Sequence, residues 1–419
     1  MKSLFAPVLA VLLAGQSYAA SLTVSKPEDA GLSSERLKRI QPLMQGHIEA
    51  KDFAGAVTLV TRRGKVVQHE AYGLMDLDAK KPMRTDTMFR LASMTKPITA
   101  VAILMLMEDG KLLLTDPVSK YLPEFKNPKV AVWNLPNDPK GSGYRLAPAD
   151  REISIQHLLT HTSGLANGEA GPAGEFVRQA KLPRGGSLAE RVARAATLPL
   201  NFQPGTQWEY SPGTGFDTLG RVVEVLSGMN LEQFFKQRIF TPLGMNNSFF
   251  TVPQNRLGDV AVLYVPGDQG LTRPPAPAPM PASGEYFSGA GGLTGSAEDY
   301  LQFAQMLLNG GQSNGVRLLS RKSVELMTDN AIGNLDLRNH LPVEMNLRGY
   351  GFGLGVRVRR STGASGWLGS VGDFGWAGAY GTYFWVDPKE QLIGVMMVST
   401  RRPGVRTSFV NAVYQAVAD

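Results

Sequence analysis

The segment FRLASMTKPITAVAILMLM, residues 89–107, predicts a helix that is apolar on almost every side. Such a helix has no polar face to present to water, so it has to be buried inside the folded protein. The chain must therefore supply other elements that surround it. With 419 residues it is long enough for one large domain, or for two lobes, with a substantial core.

The start of this helix carries the first candidates for chemistry. Ser93 opens the helix, and Lys96 follows three residues later on the same face. Free backbone N–H groups and the helix dipole favour negative charge at that end. Burial favours the uncharged form of a lysine, which then accepts a proton. The pattern predicts Ser93 as a nucleophile and Lys96 as its base; the alternative is a Ser93 that only caps the helix and a solvated Lys96.

Strand patterns lie near both ends of the chain, with helical patterns between them. Residues 54–73 predict two strands around a tight turn, and residues 376–400 predict a hairpin. We therefore predict an α/β (α+β) fold with an antiparallel sheet lobe, flanked by helices and built from both chain ends, about 20–112 and 286–419. A mainly helical lobe, about 113–285, is inserted into it, and the cleft between the lobes is the natural site.

The first 19 residues have the layout of a secretory signal peptide. Lys2 precedes an apolar run from Leu4 to Ala14, which is too short to span a bilayer, and small residues follow. Because no cysteine follows the run, we expect no lipoprotein anchor, and because the run is too short to span a bilayer we expect no membrane anchor. The sequence thus predicts a signal peptide over 1–19 and a periplasmic or secreted domain over 20–419.

Composition excludes several classes of function. The net charge of +7 is spread along the chain without a basic tract interleaved with aromatic residues, so we expect no nucleic-acid partner. The absence of cysteine excludes thiol chemistry and thiolate metal sites. The histidines are scattered and form no metal-hydrolase pair, so we expect no metal and no cofactor. The sequence leaves the oligomeric state open.

A rival nucleophile is present in GQSNG, residues 311–315, which matches the Gly-x-Ser-x-Gly pattern through Ser313. That pattern works only where a strand turns into a helix. Here it follows the helical segment YLQFAQMLLNGG. We therefore predict a glycine-rich turn and no catalytic role for Ser313.

A second candidate for proton transfer lies in FQPGTQWEYSPGTGFDTLGRVVEVLSG. Tyr210 falls in a loop between a Pro-Gly turn and a helix. A tyrosine beside a lysine ammonium can share a proton with it. The alternative is that Tyr210 is an ordinary packed aromatic residue.

These segments resemble the serine β-lactamase and penicillin-binding-protein-like superfamily, above all class C β-lactamases and the family VIII carboxylesterases. The resemblance implies a β-lactamase-like fold, with Ser93 as the acylated nucleophile, Lys96 as its partner and Tyr210 as general base. It spans nearly all of the chain after the signal peptide. The similar segments are FRLASMTKPITA, ISIQHLLTHTSGL, PGTQWEYSPGTGFDTLGRVVEVLSG, IFTPLGMNNSFF, GAGGLTGSAEDYLQFAQMLLNGG and FGWAGAYGTYFWVDP.

The superfamily's third motif, Lys-Thr-Gly or His-x-Gly on a strand lining the cleft, corresponds here to Trp376-Ala377-Gly378. Residues 361–363, Ser-Thr-Gly, match less well, because the family pattern downstream of the motif follows Trp376. The resemblance implies that Trp376, Gly378 and Ala379 contact the substrate. It also implies that the N–H groups of Ser93 and Ala379 hold the oxyanion.

Two departures from the family bear on the substrate. The Tyr-x-Asn motif has become Tyr210-Ser211-Pro212, and the lysine of the third motif has become Trp376. A lysine there would attract the carboxylate of a β-lactam or peptide, whereas a tryptophan packs apolar groups. Esterases of the superfamily carry tryptophan at this place. Arg401 and Arg402, after the last strand, could restore the positive charge.

The sequence therefore predicts an exported serine hydrolase that cleaves short-chain carboxylic esters through a covalent acyl-serine intermediate. Its partner would be a small-molecule ester or a β-lactam-like substrate. The first alternative is amide hydrolysis at the same site, by a β-lactamase, a D-alanyl-D-alanine carboxypeptidase or a D-aminopeptidase. The alternative from another class is an inactive penicillin-binding-like sensor of peptidoglycan.

Overall fold

The computed structural model describes residues 23–134, 143–166, 171–180, 186–267, 270–274, 286–337, 347–400 and 404–419. The predicted signal peptide, Arg401 and Arg402 lie outside these described residues. The strands are β1 Gly55–Arg62, β2 Lys65–Asp76, β3 Lys81–Pro82, β4 Phe89–Arg90, β5 Lys129–Trp133, β6 Tyr144–Pro148, β7 Val265–Gly267, β8 Gly270–Thr272, β9 Thr294–Gly295, β10 Gln312–Ser313, β11 Val316–Arg317, β12 Tyr350–Phe352, β13 Arg357–Arg359, β14 Phe374–Ala377, β15 Tyr383–Asp387 and β16 Leu392–Val398. The α-helices are α1 Ser34–Leu37, α2 Ile40–Glu49, α3 Thr95–Glu108, α4 Ile155–Leu159, α5 Gly174–Ala180, α6 Leu188–Ala196, α7 Thr214–Ser227, α8 Leu231–Phe235, α9 Thr241–Leu243, α10 Ala297–Leu308, α11 Arg321–Met327, α12 Thr362–Ser365 and α13 Gly404–Tyr414.

One eight-stranded antiparallel sheet joins the two ends of the chain. Its strand order is β12-β13-β14-β15-β16-β1-β2-β3, so strands from the C-terminal part continue directly into strands from the N-terminal part. The junction is the pair β1 and β16, in which Ala56 lies opposite Val398 and Arg62 opposite Leu392. The predicted antiparallel sheet from both chain ends is confirmed.

Local turns explain how the chain enters and leaves these strands. Arg63 and Gly64 both have positive φ, of 53° and 73°, which is the geometry that two-residue hairpin turns require. The segment 376–400, predicted as one hairpin of two strands, contains parts of three strands. Its first strand is broken by a tight turn in which Gly381 has a φ of 99°, so that it forms the end of β14 and then β15.

The sheet is covered on both faces. Along β1, Val57 and Leu59 face one apolar cluster, and Ala56 and Val60 face another, as the two-residue period of a strand requires. Helices α2 and α13 pack on the face of the second cluster, and α10 packs against β15, β16 and β1 on the other face. Each face is thus removed from water by its own layer of helices.

Helix α3 belongs to the same apolar cluster as α10, on the side of the sheet that Leu59 faces. Every residue from Thr95 to Leu106 is buried, as expected for a helix that is apolar all round. It packs against α7, which in turn contacts α4, α6 and α8. Among the described residues of the segment 113–285, none joins the large sheet. No helix in the described part of the chain has both the length and the apolar character needed to cross a membrane.

Candidate active site

The backbone around Ser93 departs from a simple helix start. Ser93 lies in a 3-10 turn, Ala92–Met94, and α3 begins after it at Thr95. Ala92 has a φ of 47°, in the left-handed region that residues with a side chain rarely adopt. The right-handed helix therefore cannot extend back through Ala92. The hydroxyl of Tyr300 on α10 donates to the carbonyl of Met94 at 2.8 Å and holds the turn in place. The half-buried Ser93 is therefore fixed at the end of the most buried helix.

Lys96 is completely buried, with 0 % of its surface exposed. Its Nζ donates to Ser93 Oγ at 3.2 Å, to Pro212 O at 2.7 Å and to Ala290 O at 2.8 Å. The same nitrogen lies 5.2 Å from the centre of the Tyr210 ring. The alternative of a solvated Lys96 is wrong, because three oxygen atoms of the protein take the place of water.

Tyr210 completes a group of three. Its hydroxyl oxygen lies 2.7 Å from Ser93 Oγ, a distance suited to direct proton transfer. Ser93 Oγ thus contacts both Lys96 Nζ and the Tyr210 hydroxyl. The structure brings together the three side chains that the sequence singled out for chemistry, although they are separated by up to 117 positions.

His161 stands behind Tyr210, and sequence reasoning gave it no role. Its ring centre is 4.8 Å from that of Tyr210, and its Nδ1 accepts a hydrogen bond from the Ser211 N–H at 3.2 Å. Burial, together with the charge of Lys96, holds the pKa of His161 well below its ordinary value. The imidazole is therefore neutral with its proton on Nε2, and it fixes the loop without adding charge. The only signal in the sequence was its position in the segment HTSGL.

Trp376 supports the site from behind and does not form an open wall. Its side chain lies on β14 with 1 % of its surface exposed. The ring centre is 5.4 Å from that of Tyr210 and 5.2 Å from that of Phe352. These two rings pack against the indole, and the predicted contact of Trp376 with the substrate stays a prediction. Trp376 packs an uncharged surface against the ring of Tyr210.

The end of β14 lies against the turn that carries Ser93. A side chain at Gly378 would place its Cβ 2.4 Å from the carbonyl oxygen of Leu91 and 2.1 Å from Thr382 Oγ1, so only glycine fits. Leu91 precedes Ser93 by two residues. The next residue, Ala379, is exposed, and within the described chain its N–H has no acceptor. The geometry leaves this N–H available to a ligand, as the proposed oxyanion role needs.

A buried carboxylate holds the segment that binds Lys96, and the sequence gave no reason to select it. Asp217 on α7 accepts hydrogen bonds from Ser288 Oγ at 2.6 Å, from Tyr286 OH at 2.5 Å and from the Ala290 N–H at 3.3 Å. The carbonyl of the same Ala290 accepts from Lys96 Nζ. Asp217 therefore positions one of the oxygen atoms that hold the lysine.

The two rival motifs lie in unrelated surroundings. Ser313 is part of β10, which pairs with β11 in a short hairpin, so the predicted glycine-rich turn is confirmed. Ser361 caps α12, where its Oγ accepts from the Ala364 N–H at 3.3 Å. Ser313, in a hairpin between two short strands, does not lie at the junction from strand to helix that the Gly-x-Ser-x-Gly pattern requires.

We predict that Asp217→Asn lowers both the stability of the protein and the rate of acylation of Ser93. The loss of rate should exceed the loss that lower stability alone would cause. Hydrogen bonds to a charged acceptor contribute about 1.5–3 kcal/mol, so we expect the free energy of unfolding to fall by about 2 kcal/mol. The rate of acylation at saturating substrate should also fall, because Ala290 O loses its support.

The matched control is Asp299→Asn. Asp299 is likewise buried and accepts from the Asn247 N–H at 2.7 Å and from Ser248 Oγ at 2.8 Å, away from Lys96. Denaturant unfolding and pre-steady-state kinetics should show a stability loss for both variants and an acylation defect for Asp217→Asn alone. Equal acylation rates in the two variants would contradict the positioning role.

Comparison with known proteins agrees with this geometry. A family model described as Beta-lactamase matches residues 38–418. Protein Rv1367c of Mycobacterium tuberculosis is 38 % identical over 352 residues, which cover 83 % of this chain and 86 % of that protein. Esterase EstB of Burkholderia gladioli is 34 % identical over 284 residues, covering 63 % of this chain and 68 % of EstB.

A solved structure extends the match to the fold. EstCE1, described as a hydrolase with promiscuous acyltransferase activity, superposes with a TM-score of 0.75 at 26 % identity, over 92 % of this chain and 99 % of EstCE1. Fold, family model and relatives thus bear out the resemblance to the serine β-lactamase and penicillin-binding-protein-like superfamily. The chain belongs to the β-lactamase family and is a serine hydrolase of that fold.

Proposed function

We propose that the protein is an exported carboxylesterase that cleaves small neutral esters through an acyl intermediate on Ser93. The observation that carries this proposal is the contact of Ser93 Oγ with two proton-transfer groups, Lys96 Nζ at 3.2 Å and Tyr210 OH at 2.7 Å. Similarity to EstB, which is named an esterase, supports the choice of ester over amide.

In the proposed reaction, side chains and backbone N–H groups of this chain act on the ester and on one water molecule. The proposed first step requires that the Tyr210 oxygen can accept a proton beside the ammonium of Lys96. Ser93 Oγ attacks the ester carbonyl carbon as its proton passes to the Tyr210 oxygen. The N–H groups of Ser93 and Ala379 hold the oxyanion that forms. The C–O bond of the ester then breaks, the alcohol leaves with the proton from Tyr210, and the acyl group stays on Ser93.

In the second half of the reaction, water releases the acyl group by the same steps in reverse order. It attacks the acyl carbon as its proton passes to Tyr210, and a second oxyanion forms at the same two N–H groups. When this intermediate collapses, Ser93 Oγ takes the proton back and the carboxylic acid is released. Lys96 keeps its contacts with Pro212 O and Ala290 O throughout, so the positive charge stays close to the reacting oxygen atoms.

Trp376 favours neutral substrates in this proposal. At the place where a cationic residue would attract a substrate carboxylate, the strand carries a buried indole. The strand therefore offers no cationic partner to a substrate carboxylate at this place, and a carboxylate that loses hydration without gaining a partner is costly. Esters without a free carboxylate next to the scissile bond should therefore bind better than penicillins or peptides.

The nucleophile is tested by two serine variants. We expect Ser93→Ala to abolish turnover of a nitrophenyl ester and covalent labelling by a fluorophosphonate probe, because the attacking oxygen is gone. Ser313→Ala should keep both near the wild-type level, since Ser313 lies in the remote β10–β11 hairpin. An active Ser93→Ala enzyme would overturn the proposal, and a wild-type protein that is not labelled would favour the inactive sensor.

The substrate class is tested by a panel measured on the wild-type enzyme. The panel consists of nitrophenyl esters of increasing acyl length and one chromogenic penicillin. We expect kcat/KM to be highest for short neutral esters and about fivefold to tenfold lower for the penicillin, since one missing opposite-charge contact is worth about 1 kcal/mol in a partly exposed site. Faster opening of the penicillin would replace the esterase proposal by that of a β-lactamase.

Export is supported by the pattern of residues 1–19. If the full chain is expressed in a Gram-negative host, we expect the protein in the osmotic-shock fraction. Its intact mass should correspond to a chain that starts at Ala20 or Ser21. A protein that stays in the shocked cells with Lys2 still attached would show that the segment is not a cleaved signal.

A further inference from the structure

Arg406, on the far side of the sheet from Lys96, reaches the end of β14. It lies on α13, which packs with α2 against the opposite face from the one that α10 covers. Its Nη2 donates to the carbonyl oxygen of Gly378 at 2.6 Å. The N–H of Gly381 donates to the same oxygen at 3.1 Å. One carbonyl thus accepts both a charged and a neutral donor.

This carbonyl belongs to the peptide unit that ends in the Ala379 N–H. The described chain has no cis peptide bond, and in a trans peptide the C=O and N–H groups point to opposite sides. When Arg406 holds the oxygen on the side of α13, the N–H of Ala379 has to point the other way. The Gly378 N–H, which donates to Thr382 O at 2.8 Å, fixes the preceding peptide as well.

The residue that supplies this carbonyl is tightly packed on the other side. Gly378 lies so close to Leu91 O and Thr382 Oγ1 that even a methyl group would collide with both. Thr382 Oγ1 itself donates to Leu91 O at 3.2 Å, which joins the strand end to the turn before Ser93. The direction of the Ala379 N–H is therefore set by contacts on both sides of the sheet.

The guanidinium also changes the strength of this donor. A charged donor makes a stronger hydrogen bond than a neutral one and polarises the acceptor group. Polarisation passes along hydrogen-bonded chains, so electron density drawn to the Gly378 oxygen leaves the Ala379 N–H a better donor. A positive charge behind this peptide further favours negative charge in front of it.

We propose that Arg406 is a positioning residue for the oxyanion site: it orients and polarises the peptide whose N–H, on Ala379, receives the oxyanion formed by attack of Ser93. This inference rests on the proposed function, because it requires acyl transfer at Ser93. It assigns to a residue of the last helix, on the opposite face of the sheet, a part in the same reaction.

The test compares Arg406→Met and Arg406→Lys with the control Arg321→Met. Arg321 is a surface arginine on α11, with 66 % of its side chain exposed, and it pairs with Glu325. Three quantities are measured: kcat and KM for a short nitrophenyl ester, the affinity for an arylboronic acid that forms a charged tetrahedral adduct on serine, and the melting temperature.

For Arg406→Met we expect kcat to fall about 10- to 100-fold, somewhat less than after complete loss of an oxyanion donor, with KM within about twofold. The boronic acid affinity should fall by a similar factor, since its adduct carries the same charge. Arg406→Lys should recover most of both losses, because it keeps a charged donor. Arg321→Met should match wild type in all three measurements.

Three results would overturn the inference. The first is an Arg406→Met enzyme with wild-type kcat and boronic acid affinity. The second is a defect confined to KM for substrates that bear a carboxylate, which would make Arg406 a substrate-binding residue. The third is a lowered melting temperature in Arg406→Met, with a lowered kcat, where Arg406→Lys restores neither of the two. Failure of the proposed function is seen separately, as turnover by Ser93→Ala.

Discussion

The site depends on the burial of one ammonium group. Lys96 has no contact with bulk water, and its Nζ is held instead by Ser93 Oγ, Pro212 O and Ala290 O. A buried charge is tolerated only where polar atoms of the protein replace its hydration. The two carbonyl groups come from segments 116 and 194 positions away, so distant parts of the chain have to converge before the lysine can be buried. The charge beside the reacting groups is therefore buried only when the architecture around it is complete.

The sequence was most informative about contacts between residues that are close together in the chain. Burial of α3 and the closeness of Ser93 and Lys96 follow from helical periodicity, and the β1–β2 hairpin follows from its turn residues. Tyr210 was accessible through its motif and the family resemblance. The supporting groups were not accessible, because a carboxylate such as Asp217 or a carbonyl such as that of Ala290 acquires its role only from long-range placement. Burial of a residue at the end of a strand, like Trp376, also depends on which rings lie above it.

Different neighbouring residues hold each of the three reacting side chains in place. His161 and Trp376 enclose the ring of Tyr210 with uncharged surfaces, while Asp217 holds the carbonyl that contacts Lys96. Ala92, in its left-handed conformation, fixes the approach to Ser93. Each reacting side chain thus has its own support from a different element. Such preorganisation keeps the hydrogen-bond geometry in place before any substrate enters.

The pairing of β1 with β16 has a consequence for the order of folding. Strand β1 ends at Arg62, yet its partner is completed only at Val398, close to the end of the chain. A contact of such high sequence separation costs loop entropy early and forms slowly. While the ribosome is still making the last segment, the apolar helix α3 and the inner face of β1 have no finished sheet to pack on. A chain that has not yet paired β1 with β16 therefore exposes apolar surface that favours aggregation.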